Sequence, residues 1–403
     1  MDIFSVTSDN LFTPVTDARS AQMQNMSTRA LNDGLKQFTA GKYDVAIASF
    51  KKSISFAPTT DSALNAADYM ARSYVIQGNT QAAIGAYTKA LKVAPNRDDL
   101  HVQLGNLYTS NKDYTNALAQ YKLGVKYNAS PANLFSLGQG YLGAGQTDQA
   151  MLQFQRLKQQ QPNGPYGDFG MGQTYAKQGN HQAAIDSFQK AIAKKGDYLN
   201  AYSEMGRAYV DNGQMDQAKQ QVATLNTLSP VDTTLANGLN QYIYEKSKPQ
   251  IVQANASKVF PPFLASLGPG TPVNAMGFYT LSQANASQTV SMVFQFSKPM
   301  DQRSVENVFN WNIARAIGTG SGDGYNSDMA PPSTDVNLQP TPLGVYYDPA
   351  KQSATVLFNL TQNATADGTI DPRHINFSFA GKDVTGLTMD KTANMYSGYA
   401  GVA

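Results

Sequence analysis

The side chains best suited to acid–base or metal chemistry in this sequence are its histidines, His101, His181 and His374. A metal ion or a catalytic base needs further groups that converge on it, and no local ligand pair accompanies any of the three. The chain has no cysteine, which excludes disulfides, thiolate metal sites and cysteine nucleophiles. We therefore predict no metal, no cofactor and no catalytic residue.

Two further patterns for catalysis are also weak. No Gly-x-Ser-x-Gly turn is present, so a serine hydrolase triad has no sequence support. Residues 318–324 are rich in glycine, but no Lys-Ser or Lys-Thr pair follows them as in a phosphate-binding loop. We interpret this stretch as part of a long loop, 318–341, in which Asp323 and Asp328 are too sparse for a calcium site.

The balance of charge excludes several partner classes. Lys and Arg number 31 against 29 Asp and Glu, and charged residues make up 15% of the chain, compared with about 25% in ordinary globular proteins. Lys and Arg do not cluster with interleaved aromatic residues, which nucleic-acid binding favours. No apolar run approaches the length of a membrane-spanning helix. We predict a weakly charged polar surface, no nucleic-acid partner and no membrane span.

Any functional residue in the first half must be positioned by short helices that repeat along the chain. Residues 137–162, LGQGYLGAGQTDQAMLQFQRLKQQQP, contain the full pattern: small residues where two helices cross, aromatic rings between them and a terminal proline. The central alanine of this pattern recurs about every 34 residues, which indicates a stacked array. Its positions are Ala46, Ala83, Ala117, Ala150, Ala184 and Ala218.

This pattern resembles the tetratricopeptide repeat family over residues 27–246. The resemblance implies a right-handed α-solenoid of about six helical hairpins, and a helix after Pro230 should cap its open end. The sixth unit departs from the pattern, because Val222 replaces the aromatic residue of the second helix. Terminal units are expected to be irregular since one side faces water.

In this family the first helix of each hairpin lines an inner groove, which implies a binding surface for a protein or peptide. Polar amides and a few rings suit an extended peptide, because amides pair with its backbone and rings hold its side chains. The alternative is that some of these side chains are only solvated or are covered by the chain's own leader. The predicted partner-binding residues are Asn65, Asp68, Arg72, Asn106, Phe135, Gln139, Tyr166, Phe169, Gln173, Ser203 and Arg207. Three of them, Phe135, Tyr166 and Phe169, should form one exposed aromatic patch.

The two segments that flank the array have a different composition. Residues 1–26 are polar and predict a loose leader that becomes helical near Met26. Residues 247–272 contain several prolines and no helical period, which indicates a linker or a docking segment. The apolar residues Val259, Phe260, Phe263 and Leu264 could pack this segment on the last helices.

From residue 273 to 403 the hydrophobic period falls to two, which predicts half-buried strands and an antiparallel β-sandwich. Residues 296–301 read Phe-Ser-Lys-Pro-Met-Asp, and residues 381–386 read Gly-Lys-Asp-Val-Thr-Gly. These motifs resemble the bacterial Ig-like domains of surface-layer and adhesin-type proteins, over about residues 270–392. Trp311 is most simply the anchor of this core; stacking on a sugar is the alternative.

Together these observations predict a multidomain α-then-β protein, an α-solenoid followed by an Ig-like sandwich. We expect a non-enzymatic scaffold or adaptor of a bacterial assembly. One alternative is a β half that acts as a carbohydrate-binding or hydrolase module. Another is an exported surface or flagellar-type assembly component, since the polar leader is similar to flagellar-type export signals. The start of the chain lacks the basic and apolar regions of a secretory signal, which favours a cytoplasmic location or non-classical export. The sequence leaves the oligomeric state open.

Overall fold

The structure is a computed structural model that describes residues 9–256, 267–276, 279–318 and 323–398. The chain divides into two compact units, Met1–Lys246 and Ser247–Ala403. The first is helical, and most of the regular elements in the described part of the second are β-strands.

Within its described residues, the first unit contains thirteen α-helices that form a tetratricopeptide-type solenoid. They are α1 (Asp9–Thr39), α2 (Tyr43–Phe56), α3 (Asp61–Ile76), α4 (Thr80–Val93), α5 (Asp98–Ser110), α6 (Tyr114–Tyr127), α7 (Pro131–Gly143), α8 (Thr147–Gln160), α9 (Tyr166–Lys177), α10 (His181–Lys194), α11 (Leu199–Asp211), α12 (Met215–Leu228) and α13 (Thr234–Lys246). Odd-numbered helices from α1 to α11 are the first helices of the hairpins, and even-numbered helices are the second.

The recurring glycine and aromatic residues pack against each other inside each hairpin. A Cβ atom added to Gly138 would lie 2.5 Å from the ring of Phe154, and one added to Gly172 would lie 2.6 Å from the ring of Phe188. Any larger residue would therefore push the helices apart. Ala150, at the centre of the repeat, has no exposed surface, so the repeat register is set by close helix approach.

In the sixth hairpin, a residue from the next helix fills the space beside the leading glycine. At Gly206, an added Cβ atom would meet the side chain of Leu239 on α13 at 2.3 Å. Leu239 and Ile243 are buried, and Val222 joins them in the same apolar cluster. The helix α13 therefore closes the array where the aromatic residue is missing.

The start of the array differs from the sequence prediction. Residues up to 26 were expected to form a loose leader, but α1 begins at Asp9. Side chains 18–25 are almost all exposed, so this part of α1 has no buried face and leaves no helical period in the sequence. Ser27 is buried, and its hydroxyl donates to the carbonyl oxygen of Ser53 on α2 at 2.9 Å. Residues 1–8 of the predicted leader lie outside the described residues.

The second unit contains nine strands and one short α-helix among its described residues. They are β1 (Ile251–Ala256), β2 (Thr271–Pro272), β3 (Ser287–Phe296), α14 (Gln302–Glu306), β4 (Trp311–Arg315), β5 (Gly344–Asp348), β6 (Ser353–Thr361), β7 (Thr369–Ile370), β8 (Ile375–Phe379) and β9 (Met395–Ser397). The strands form antiparallel sheets in the orders β1-β3-β6-β5, β4-β8-β9 and β2-β7.

The two larger sheets share one aromatic core. The ring of Phe294 on β3 lies 5.2 Å from Trp311 on β4 and 5.4 Å from Phe377 on β8. Along β3 the buried and partly exposed side chains alternate, as the period of two predicts. Trp311 is 3% exposed, and its indole nitrogen donates to the carbonyl oxygen of Val305 at 2.8 Å. It therefore anchors the core and is not available to stack on a sugar.

The segment 247–272, predicted to lack regular structure, contains strand β1. It pairs antiparallel with β3, so that Ala254 lies opposite Phe294. This correction arises because Ile251–Ala256 is short and has only two large apolar residues, which hides its strand character in the sequence. The proposed docking residues Val259, Phe260, Phe263 and Leu264 lie outside the described residues, as do residues 319–322 of the predicted loop.

Candidate partner-binding groove

All predicted partner-binding residues lie on first helices of the array. Asn65, Asp68 and Arg72 are on α3 and Asn106 is on α5; the others are on α7, α9 and α11. Their environments differ, and they form two groups. The larger group surrounds an aromatic cluster on α7, α9 and α11, and the smaller group lies toward the N-terminal end.

The predicted aromatic rings do come together, and a fourth ring joins them. The centroid of the Phe135 ring lies 5.9 Å from Tyr166 and 6.5 Å from Phe169. The ring of Tyr198 lies 5.7 Å from Tyr166 and 4.8 Å from Phe169. We refer to Phe135, Tyr166, Phe169 and Tyr198 as the aromatic cluster.

The rings of this cluster are not equally accessible, which corrects the predicted exposed patch. Phe169 is only 5% exposed and packs 5.7 Å from Phe188, so it belongs to the core. Tyr166 is 43% exposed, and Phe135 is partly buried. Burial also raises the pKa of the Tyr198 hydroxyl. The surface that can contact a partner is therefore formed mainly by Tyr166 and Phe135.

A cavity of about 800 Å³ opens beside the aromatic cluster. Its apolar wall includes Leu199 and Leu235, and its polar wall includes Gln139, Gln173 and Glu204. A second cavity, of about 590 Å³, shares these three polar residues. The two cavities therefore adjoin along a line of polar side chains. Ser203 lines the first cavity but is buried. We therefore expect it to form part of the cavity wall and not to donate hydrogen bonds to a partner.

Between these cavities, two amide side chains from neighbouring hairpins meet. The Nε2 atom of Gln139 donates to the Oε1 atom of Gln173 at 2.6 Å. Within the described part of the chain, neither the Oε1 atom of Gln139 nor the Nε2 atom of Gln173 has a hydrogen-bond partner. The pair thus presents one acceptor and one donor, the combination that a peptide backbone requires.

Glu204 was missed by the sequence analysis because it lies between the helix positions counted as inward. Burial raises the pKa of its carboxyl group, and the positive charge of Arg207 offsets this only in part. The Arg207 guanidinium stacks 4.8 Å from the ring centroid of Tyr242, whose hydroxyl donates to Asp211 at 2.7 Å. Arg207 therefore lines the second cavity with its charge held against an aromatic face.

Tyr198 was missed for a different reason. It immediately precedes α11, at the helix cap position, whereas the prediction counted only positions inside first helices. A tyrosine just before a helix that lines the groove is a signal that could have identified it. Lys195 lies in the same connection, with its ammonium 5.6 Å from the Tyr198 ring.

The N-terminal group of predicted residues is already engaged within the array. Arg72 forms an ion pair with Asp68 at 2.8 Å, and the Tyr87 hydroxyl donates to Asp68 at the same distance. Asn106 accepts a hydrogen bond of 2.8 Å from the hydroxyl of Tyr121. Arg72 and Asn106 line a smaller cavity of about 290 Å³. Asn65 is exposed.

The described residues contain no group of three or more His, Cys, Asp or Glu side chains that could hold a metal ion. His101 is buried, with Nδ1 2.8 Å from the Oε1 atom of Gln120 and Nε2 2.9 Å from the carbonyl oxygen of Pro95. This histidine therefore has a packing role. No helix in the described ranges is long and apolar enough to cross a membrane.

Comparison with known families identifies the helical repeats. Models of the tetratricopeptide repeat match residues 70–132, 135–198 and 175–240. These residues are tetratricopeptide repeats. Arrays of this type stack hairpins into extended concave binding surfaces and serve as protein-interaction scaffolds.

Individual relatives are distant. The chain is 24% identical over 165 residues to protein bimA of Emericella nidulans, covering 41% of this chain and 20% of that protein. It is 23% identical over 123 residues to anaphase-promoting complex subunit 3 of Schizosaccharomyces pombe, covering 30% and 18%. The chain thus spans about a fifth of the length of these curated relatives.

Similar solved structures include a tetratricopeptide repeat protein from Parabacteroides merdae, at 18% identity and a TM-score of 0.47. That match covers 55% of this chain and 89% of the other. Another is the pilF protein of Pseudomonas aeruginosa, at 16% identity and a TM-score of 0.42, covering 55% and 99%.

Proposed function

We propose that this chain is a non-enzymatic scaffold or adaptor of a bacterial assembly, and that it binds an extended segment of a partner protein on α7, α9 and α11. The observation that carries this proposal is the position of the Gln139–Gln173 amide pair between two adjoining cavities, beside the aromatic cluster. No comparable combination is found at the N-terminal group, where Asp68 and Asn106 already accept hydrogen bonds from tyrosines.

The chemistry of the bound segment follows from these groups. The free acceptor of Gln139 and the free donor of Gln173 suit the N–H and C=O groups of an extended backbone. An apolar side chain of the segment would enter the cavity against Tyr166 and Phe135. Aromatic anchors of this kind carry much of the binding free energy in protein interfaces. Flanking charges contribute little, because Lys195, Asp197 and Glu204 are the only charged residues among those that line this cavity.

For the second unit, we propose an Ig-like sandwich of the bacterial surface-layer or adhesin type. In support, the two motifs of that resemblance meet in space: Lys298 Nζ lies 3.4 Å from Asp383 Oδ2, with both side chains buried, and Met300 pairs with Asp383 through a β-bridge. The burial of Trp311 favours a structural role over sugar binding. The division into an array and a sandwich, each with its own core, is part of this proposal.

Selection of peptides from a random-sequence display library on the full chain tests the groove. We expect the selected peptides to share an apolar residue and to bind the parent protein, but to bind the Phe135→Ala/Tyr166→Ala double variant much more weakly. Leu152 on α8 is more exposed than either ring, so Leu152→Ala is the matched control and should keep full binding. Peptides that bind all three proteins equally would place the site elsewhere.

A further inference from the structure

A separate cavity of about 390 Å³ lies between the second helices α2 and α4, with α3 as its floor. Its wall includes Ile54, Leu64, Met70 and Val93 together with several alanines. Ligand pockets are typically about 300–1,000 Å³ and mostly apolar, so this cavity has the size and character of a small-molecule site.

The next helix interface along the array shows what ordinarily fills this space. One repeat after Ala67, Ala86 and Val93, the corresponding residues are His101, Gln120 and Tyr127. There the imidazole ring of His101 stacks 5.6 Å from Tyr127 and lies 2.8 Å from the side-chain oxygen of Gln120. The chain fills this second space with its own side chains.

At the later helix interfaces, other large residues occupy the position that corresponds to Ala67. Leu134 occupies it with no exposed surface. Asp168 occupies it in the following repeat and forms an ion pair with Lys158 at 2.7 Å, with Lys194 as a second partner. Tyr202 occupies it after that, and its hydroxyl donates to Gly196 at 3.1 Å. Ala67 is therefore the one small residue at this position from α3 to α11, and its short side chain contributes to the open volume of the cavity.

Two lysines line this cavity along with the apolar residues. Lys51 on α2 and Lys89 on α4 are exposed, and within the described ranges neither forms a hydrogen bond or an ion pair. The residues that line the cavity include no Asp or Glu. An apolar interior with unneutralised cations beside it is complementary to a ligand with an aliphatic body and an anionic end.

We propose that this cavity binds a straight-chain aliphatic carboxylate, with its chain among Ile54, Leu64 and Met70 and its carboxylate toward Lys51 and Lys89. The cavity lies against α2 and α4, whereas the groove lies on α7, α9 and α11. This inference therefore does not depend on the proposed peptide groove.

Calorimetric titration of the full chain with octanoate, decanoate and dodecanoate, below their micellar concentrations, tests the apolar part of the site. Each added CH₂ group should strengthen binding about fourfold until the cavity is full. Dodecanol, which has the same chain without the charge, should bind at least about tenfold more weakly than dodecanoate. Absence of binding, equal affinity across the series, or equal affinity for dodecanol would overturn the proposal.

Variants separate this cavity from general apolar binding. Ala67→Leu places in the cavity the side chain found as Leu134 two interfaces later, and should reduce dodecanoate binding at least about tenfold. The Lys51→Ala/Lys89→Ala variant should remove the preference for dodecanoate over dodecanol. Lys190→Ala, at the register position of Lys89 on α10, is the matched control and should bind as the parent does.

If Ala67→Leu loses helical signal, Ala86→Gln provides the same test with the side chain found as Gln120 at the equivalent position. A correctly folded variant with a filled cavity that still binds dodecanoate as the parent does would contradict the proposal. Loss of binding in the Lys190→Ala control would contradict it as well, because that lysine lies at a filled interface.

Discussion

The side-chain amide of Gln139 donates a 2.6 Å hydrogen bond to that of Gln173, its counterpart one repeat later. Each follows the leading glycine of its repeat, Gly138 or Gly172, and so lies on the open face of a first helix. The same position is basic near the ends of the array, at Arg72 and Arg207. A single register position thus forms a line across the hairpins, with neutral amides at the centre where the aromatic cluster lies.

The close packing of the hairpins predicts the effect of enlarging their central alanine. Ala150 is fully buried, so Ala150→Leu should overpack the helix crossing and reduce the free energy of unfolding by about 1–3 kcal/mol. Thermal melts followed by circular dichroism measure this. Ala223→Leu on the exposed face of α12 is the matched control. If both variants melt alike, the repeat register is wrong.

The ion pairs of Asp168 predict a dependence of stability on pH. Burial favours the protonated form of Asp168, but hydrogen bonds from Lys158 and Lys194 outweigh it and lower its pKa. The stabilisation is therefore complete above the unfolded pKa, about 3.9, and is lost as the pH falls through the folded pKa. At pH 7, Asp168→Asn should cost about 1.5–3 kcal/mol.

This prediction is checked by comparing melting temperatures of the parent and Asp168→Asn between pH 7 and pH 3. The difference between them should shrink on acidification. Asp216→Asn removes an exposed pair with Lys219 and should change stability by less than about 0.5 kcal/mol. A constant difference at all pH values would mean that packing, and not the charge of Asp168, stabilises this region.

Glu204 predicts a dependence of stability on pH that is opposite to that of Asp168. Because burial raises the pKa of its carboxyl group, its contribution to stability is present below the unfolded pKa, about 4.3, and is lost as the pH rises through the folded pKa. Glu204→Gln should therefore raise the melting temperature at pH 7, and the two proteins should converge below pH 4. A lower melting temperature at pH 7 would show that Arg207 outweighs the burial.

The two compact units predict a viable fragment. Residues 1–248 contain the complete helical unit, including α13 with its buried Leu239. This fragment should show the helical circular dichroism signal of an array and unfold cooperatively. An unfolded fragment would mean that the β unit is part of the core of the array and would refute the proposed division.

The sequence predicted the array well because its packing rule repeats. The glycine that contacts an aromatic ring recurs in four of the six hairpins, and the missing ring at Val222 is compensated by Leu239, which lies in the predicted capping helix. The early start of α1 and the strand β1 were not predictable from periodicity. Residues 18–25 bury almost nothing, and β1 is a short strand with only two large apolar residues that acquires its structure by pairing with β3.

The groove was predicted in outline but not in its details. Periodic positions placed Phe135, Tyr166 and Phe169 close together, yet Phe169 is buried because Tyr198 and Phe188 pack against it. Tyr198 lies outside the helical period, so counting positions could not find it. The amide pair also depends on side-chain conformation, which no sequence spacing determines.

Titration of a groove-selected peptide against the parent and Phe135→Ala/Tyr166→Ala proteins, at low and moderate salt, tests the central claim most directly. We expect the double variant to lose at least about 2 kcal/mol of binding free energy, with helical content unchanged. Salt should have little effect, because the contact surface carries few charges to screen. Unchanged affinity in the double variant, or parent affinity that collapses at moderate salt, would contradict the aromatic groove as the binding site.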